Sequence, residues 1–409
     1  MLRYSFVAKC YKIMKIRIGS PVSGEFFYPR QQVINRLTKT LAVDNISFLA
    51  PRRTGKTSIL FYLRDHCPED NPHFFVNLET CTTPMQMIAR LLEPLIQPSS
   101  RFEKTLDSLK SGSKALIQKI DSISIAGNSI SVKNNNKDWQ KPAEQLLQLL
   151  EDHSGSLTYL LDEFPIFINS AAREDRDQCE ALLRWFRVWR QQTVNSSIRF
   201  LVTGSIGLDS VVRRHGLADT VNDFRTIELP PLTEPEALEL ISALAGEISL
   251  TISEATARHL LNRLGNAYPY FIQIFLDELD NALSQSPERL VTTELVDQIY
   301  RERVVISNGN EYLKHMWTRL KDALPEREYP AALAILKSIA RSDDGLSRSE
   351  IEEAARIALP STAPPSEDEL ESILNLLKHD GYLQQETEAP FRTRYFTNLL
   401  RDNCLRRYA

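Results

Sequence analysis

The stretch Ala50-Pro51-Arg52-Arg53-Thr54-Gly55-Lys56-Thr57-Ser58 (APRRTGKTS) decides how this chain is read. It lies between a short apolar run, NISFL at 45–49, and the helical pattern TSILFYLRDH. A strand, a loop ending Gly-Lys-Thr and a helix form the phosphate-binding pattern GxxxxGK[ST]. The spacing follows from the chemistry. A loop that wraps a phosphate must turn successive N–H groups inward, and Gly55 lets the backbone approach closely. Lys56 brings a point charge to the phosphates, Thr57 a hydroxyl for a magnesium ion, and the helix start a partial positive charge. The first glycine of the pattern is replaced by Ala50. Alanine is tolerated there if its φ stays negative.

Further along, SLTYLLD at 156–162 is a third apolar run and ends in Asp162-Glu163. Two acids at the carboxyl end of a buried strand sit where α/β proteins bind ligands. Asp162 is expected to hold Mg²⁺ together with Thr57, and Glu163 to polarise an attacking water as general base. SIRFLVT at 197–203 runs into Gly204-Ser205. Thr203 and Ser205 read either as donors to a γ-phosphate or water, or as a plain Gly-Ser turn.

HFFVNL at 73–78 and FRTIEL at 224–229 complete five apolar runs separated by helical patterns. That rhythm predicts an α/β domain with a parallel sheet covered on both faces. Residues 100–140 interrupt it, with SISIAGNSISV alternating around Gly127-Asn128 as a hairpin and Asp138 as the cap of the next helix. Past Pro230 every segment carries helical periodicity. Near the end, YPAALAILKSIAR, SRSEIEEAARIA and SEDELESILNLLKHD precede two short strand patterns, three helices and a wing. The expected organisation is an extension at 1–20, a P-loop core at 21–230 containing the 100–140 insertion, a helical lid at 231–308 and a winged-helix domain at 309–409.

These motifs, in this order, resemble the prokaryotic AAA+/STAND-type ATPases often called the archaeal ATPase family. The resemblance rests on PRRTGKTS, LLDEFP, the TGS strand end, PPLTEPEA at 230–237, GNAYPYFIQ at 265–273 and the closing RYFTNLLRDNCLRRY. The family's glycine-arginine-glutamate box before the first strand is here Pro29-Arg30-Gln31. The resemblance implies ATP and Mg²⁺ as cofactors, with ATP hydrolysed to ADP and phosphate. It implies that the loop residues Ala50 to Ser58 cradle ATP, that Arg30 touches the nucleotide, and that Tyr268 and Pro269 lie near the adenine. Pro269 reads equally well as a proline opening a helix. Arg213 and Arg214 stand where an arginine finger would act in trans and imply a homo-oligomer; solvated loop arginines are the other reading.

The net charge of −4 gives no global pull toward nucleic acid or an anionic membrane. The helix in the recognition position carries Glu367, Asp368, Glu369, Glu371 and Asp380 against Lys378 and His379, so phosphates would repel it. A protein partner is favoured over DNA for the winged helix. Arg184, Arg187 and Arg190 recur along one helix, as a backbone-binding stripe or as groups paired with acids. Five scattered cysteines with no CxxC pair argue against a disulfide or zinc framework. No signal-peptide core or long apolar span appears, and the expected setting is the cytoplasm. Two functions remain open: a hydrolysing switch, and an ATP-bound sensor or scaffold that recruits protein or DNA.

Overall fold

The computed structural model describes residues 15–96, 98, 100–103, 106–118, 123–126, 129–132, 138–153, 155–192, 198–204, 207–306, 311–358, 365–386 and 388–408. It divides into two units. One comprises Pro29–Leu49 and Lys56–Leu229; the other comprises Met1–Tyr28, Ala50–Gly55 and Pro230–Ala409.

The first unit is built on a sheet. Its elements are α1 (Gln31–Leu41), β1 (Ile46–Leu49), α2 (Lys56–Asp65), β2 (His73–Asn77), α3 (Pro84–Ile96), α4 (Asp107–Gln118), β3 (Ile123–Ala126), β4 (Ser129–Val132), α5 (Gln140–Glu151), β5 (Leu157–Asp162), α6 (Phe164–Glu174), α7 (Arg176–Gln192), β6 (Ile198–Gly204), α8 (Leu208–Arg214) and β7 (Arg225–Glu228). Five strands pair in the order β2-β5-β6-β1-β7, all parallel. β5 is buried along its whole length because every residue of LTYLLD faces a covered side. Each fully buried large apolar side chain contributes roughly 1.5–3 kcal/mol. Phe200 of β6 stacks on Tyr159 at 5.8 Å and meets Phe186 and Trp189 of α7 edge-on at 4.8 and 4.9 Å. The hairpin expected around Gly127-Asn128 forms as antiparallel β3 and β4; the two turn residues lie outside the described set. α5 starts one residue later than expected, with Trp139 rather than Asp138 at its cap and no side-chain capping bond.

The arginine stripe of α7 is paired rather than open. Arg184 reaches Glu180 and Asp219, and Arg187 reaches Asp219 at 3.7 Å. Arg190 is buried and forks onto Asp223 through Nε and Nη2 at 2.8 and 2.7 Å. Its guanidinium lies 4.5 Å from the Phe186 ring centre and 4.3 Å from that of Phe224. Burial pulls its pKa down, against the opposing effect of Asp223.

The second unit is mostly helical. It contains α9 (Glu234–Glu247), β8 (Thr251–Ile252), α10 (Glu254–Leu264), α11 (Pro269–Ala282), β9 (Leu290–Val291), α12 (Thr293–Ile299), α13 (Glu311–Ala323), α14 (Tyr329–Arg341), α15 (Arg348–Ala358), α16 (Glu367–His379), β10 (Leu383–Gln385), β11 (Thr393–Tyr395) and α17 (Asn398–Tyr408). Capping boxes open α9 at Thr233/Glu236 and α16 at Ser366/Glu369, the reciprocal bonds that satisfy first-turn N–H groups. β10 and β11 pair antiparallel, with Leu383 opposite Tyr395. Tyr382 donates its hydroxyl hydrogen to the Met316 carbonyl and Tyr395 to that of Leu336, so these two phenols enter the core hydrogen-bonded. Among the described residues no helix is long and apolar enough to cross a membrane.

Candidate functional site

The register aligns the sheet's carboxyl ends. Asn77 pairs with Asp162, Leu161 with Val202, and Leu49 with Gly204. β1, β5 and β6 therefore finish at one edge, and α2 begins just past β1 with Lys56, which is buried.

The loop has the backbone its composition demands. Arg53 takes φ +64° and Gly55 φ +100°, while Ala50 is not among the described residues with positive φ. The alanine in place of glycine is thus compatible with the turn leaving β1. An added Cβ at Gly55 would meet nothing within 4 Å, so the dihedral, and not crowding, requires glycine there. Thr54 is buried and donates its hydroxyl hydrogen to the Pro51 carbonyl at 2.7 Å, closing the loop on itself. Arg52 is exposed, and Ser58 is buried in the first turn of α2.

The lysine-bearing helix start and the acid pair meet. Thr57 Oγ1 donates to Asp162 Oδ2 at 2.8 Å. Asp162 is buried, and its other oxygen accepts the Glu163 N–H at 3.1 Å. Burial pushes the Asp162 carboxyl up to about 6, with Glu163 adding to the rise and the Thr57 hydroxyl and Lys56 opposing it. A hydroxyl beside a carboxylate is an all-oxygen donor pair that suits a hard divalent cation, which typically takes one or two protein oxygens and phosphate oxygens besides.

Glu163 stands at φ +56°, ψ +32°, a left-handed conformation unusual for a side chain with a Cβ. It occupies the cap position of α6, and Pro165 follows in the first turn. Gly204, at the end of β6, lies against these residues. A Cβ there would sit 2.5 Å from Pro165 Cδ and 3.4 Å from Glu163 Oε2. In the sequence alone this glycine belongs to a Gly-Ser turn. Its steric role needs the fold, because Pro165 and Gly204 are 39 positions apart.

The other expected site residues have the following surroundings. Thr203 is buried and gives its hydroxyl hydrogen to the Phe48 carbonyl at 2.6 Å, a bond that ties β6 to β1 and leaves no proton for a phosphate. Ser205 lies outside the described residues. Arg30 is buried at the cap of α1. Arg213 and Arg214 are exposed in the last turn of α8, not in a loop. Tyr268 is only 1% exposed and stacks on Phe396 at 5.3 Å. With its ring enclosed it offers no face to a purine, and it serves the core of its own unit. Pro269 is the first residue of α11, the position where a missing N–H costs nothing.

No protein-family model and no curated protein sequence matches the chain. Solved structures do. A Walker-type ATPase of Pyrococcus abyssi superposes with a TM-score of 0.63 at 14% identity, covering 95% of this chain and 99% of that one. The ORC2 protein of Aeropyrum pernix gives 0.49 at 14%, with 92% of each chain covered. The RuvB Holliday junction branch migration motor of Thermotoga maritima gives 0.43 at 13%, covering 91% and 93%. The fold is the one the Walker-type ATPase has: a five-stranded parallel α/β unit and a mostly helical C-terminal region.

Proposed function

We propose that this protein binds and hydrolyses ATP, with Mg²⁺, as a nucleotide-driven conformational switch of the AAA+/STAND type. The observation that carries the reading is the Thr57–Asp162 hydrogen bond at the end of the loop, with Glu163 as the next residue. Lys56 and the N–H groups at the start of α2 bind the phosphates. Thr57 and Asp162 hold the metal, which when bound supplies positive charge to the transferring phosphoryl. Glu163 orients a water and accepts its proton. The C-terminal region then divides into a lid at 231–308 and a winged-helix domain at 309–409, the parts that nucleotide state would reset. The acid-rich α16 supports a protein partner over DNA for that domain. A cytoplasmic setting agrees with the buried free cysteines among the described residues.

Phosphate release tests the reading. Lys56→Ala abolishes ATP binding, whereas Glu163→Gln keeps binding and loses about 10²–10⁴-fold in turnover. Wild-type turnover by Glu163→Gln protein refutes the assigned base. A second reading, an ATP-bound sensor with negligible turnover, draws support from Thr203, whose hydroxyl is spent on Phe48. Tight ATP binding with no phosphate release from wild-type protein would select it. An arginine finger from Arg213 or Arg214 requires a homo-oligomer; sedimentation with and without ATP tests that.

A further inference from the structure

The segment Ala50–Gly55 belongs by its contacts to the helical unit, although the chain on either side of it belongs to the other. Arg53 and Pro51 both take part in the attachment. The Arg53 guanidinium lies over the Tyr270 ring of α11, 5.0 Å from its centre, and donates through Nη1 to the Gly19 carbonyl. Tyr270 is itself steadied edge-on by Phe271 and by the buried Tyr312, at 5.5 and 5.8 Å. The Pro51 ring abuts Gly381, in the turn after α16, where φ is +81° and a Cβ would run into the proline.

Arg53 is also, with Gly55, one of the two residues of this loop at positive φ. Its φ is +64°, and a left-handed residue with a Cβ is strained. The strained residue is therefore the one whose side chain is held from outside.

We propose that Arg53 is a positioning residue: latched to Tyr270 and Gly19, it keeps the phosphate-binding loop curled and thereby sets nucleotide affinity. The stacking and the hydrogen bond offset the strain at position 53. Release of the latch lets the residue relax to negative φ and opens the anion cradle. By linkage, bound nucleotide then tightens the latch by the same factor. This inference rests on the ATP-binding reading above.

Substitution at one position separates the possibilities, because glycine needs no help to adopt positive φ and alanine does. Arg53→Ala is expected to weaken ATP binding about tenfold, and Tyr270→Ala about as much. Arg53→Gly is expected to weaken binding less than Arg53→Ala does, and Tyr270→Ala in that background should change nothing more. Tyr270→Phe, which keeps the ring, should match wild type. Equal weakening by Arg53→Gly and Arg53→Ala would mean that the guanidinium contacts phosphate directly and would overturn the proposal; so would unchanged affinity in Arg53→Ala. Amide exchange at Thr54 and Gly55, read without nucleotide, keeps the two readings apart. Faster exchange in Arg53→Ala and Tyr270→Ala but not in Tyr270→Phe supports the latch even in a protein that binds no ATP. Equal rates in all three refute it.

Discussion

Replacing Gly204 by alanine tests whether the end of β6 positions the acid at the start of α6. The added Cβ would lie 2.5 Å from Pro165 Cδ and 2.9 Å from Cγ. Carbon atoms in contact settle near ~3.5–4.0 Å, so about 1 Å must be recovered. A proline ring at a helix start cannot swing aside, and the strand and helix must part. Overpacking of this kind costs ~1–3 kcal/mol. For a unit of this size each kcal/mol lowers Tm by about 2–4 °C. The same displacement reaches Glu163, whose Oε2 is 3.4 Å from the new atom. A misplacement of ~1 Å in a catalytic group costs on the order of 10²-fold in rate. Lys56 and Thr57 hold their places through the loop and α2, so ATP affinity should not move. Calorimetry, nucleotide binding and phosphate release on one preparation give all three numbers. Wild-type stability with wild-type turnover would refute the packing argument. Lost ATP binding in step with lost turnover would show a general collapse of the site.

Asp223→Ala leaves the buried Arg190 charge without its bidentate partner and should cost ~3–5 kcal/mol by urea denaturation, whereas Arg190→Met with Asp223→Leu should recover most of it. His73 is buried and its pKa is depressed by desolvation to about 4, so the folded protein resists a proton that the unfolded chain takes up. Its stabilising contribution is complete above pH ~6.5 and is lost as pH falls toward about 4, a decline of about 3 kcal/mol that His73→Gln should remove from the pH–stability curve. Phe200→Ala empties the contact point of Tyr159, Phe186 and Trp189 and should cost ~3–5 kcal/mol, read from the denaturation midpoint.

The sheet was legible because its signals are local. NISFL, HFFVNL, SLTYLLD and SIRFLVT each hold adjacent apolar residues and FRTIEL alternates apolar with polar, and all five form strands within a residue of where these stretches lie. The meeting of Thr57 with Asp162 was legible for a related reason: parallel topology brings strand ends to one edge. What stayed hidden depends on partners far along the chain. Thr203 looks like a free hydroxyl at a strand end until Phe48 is placed beside it. Tyr268 looks like a platform for a purine until Phe396 covers it. For Arg190, pairing with an acid was one of the expected readings, but only the fold identifies the partner as Asp223. Arg53 seemed one cation among several in a basic loop, since neither its dihedral nor Tyr270, 217 residues away, is written in the local pattern.

The anchoring of Pro51 and Arg53 bears on how the chain can be dissected. A fragment ending at Leu229 would keep every strand of the large sheet, along with Lys56, Thr57 and the acid pair. It would forfeit the tyrosine and the glycine turn on which the loop leans. Such a piece should melt cooperatively and yet grip triphosphate poorly, and weak binding by it would say little about the intact protein. Here the boundary between folding units does not coincide with any single cut in the polypeptide.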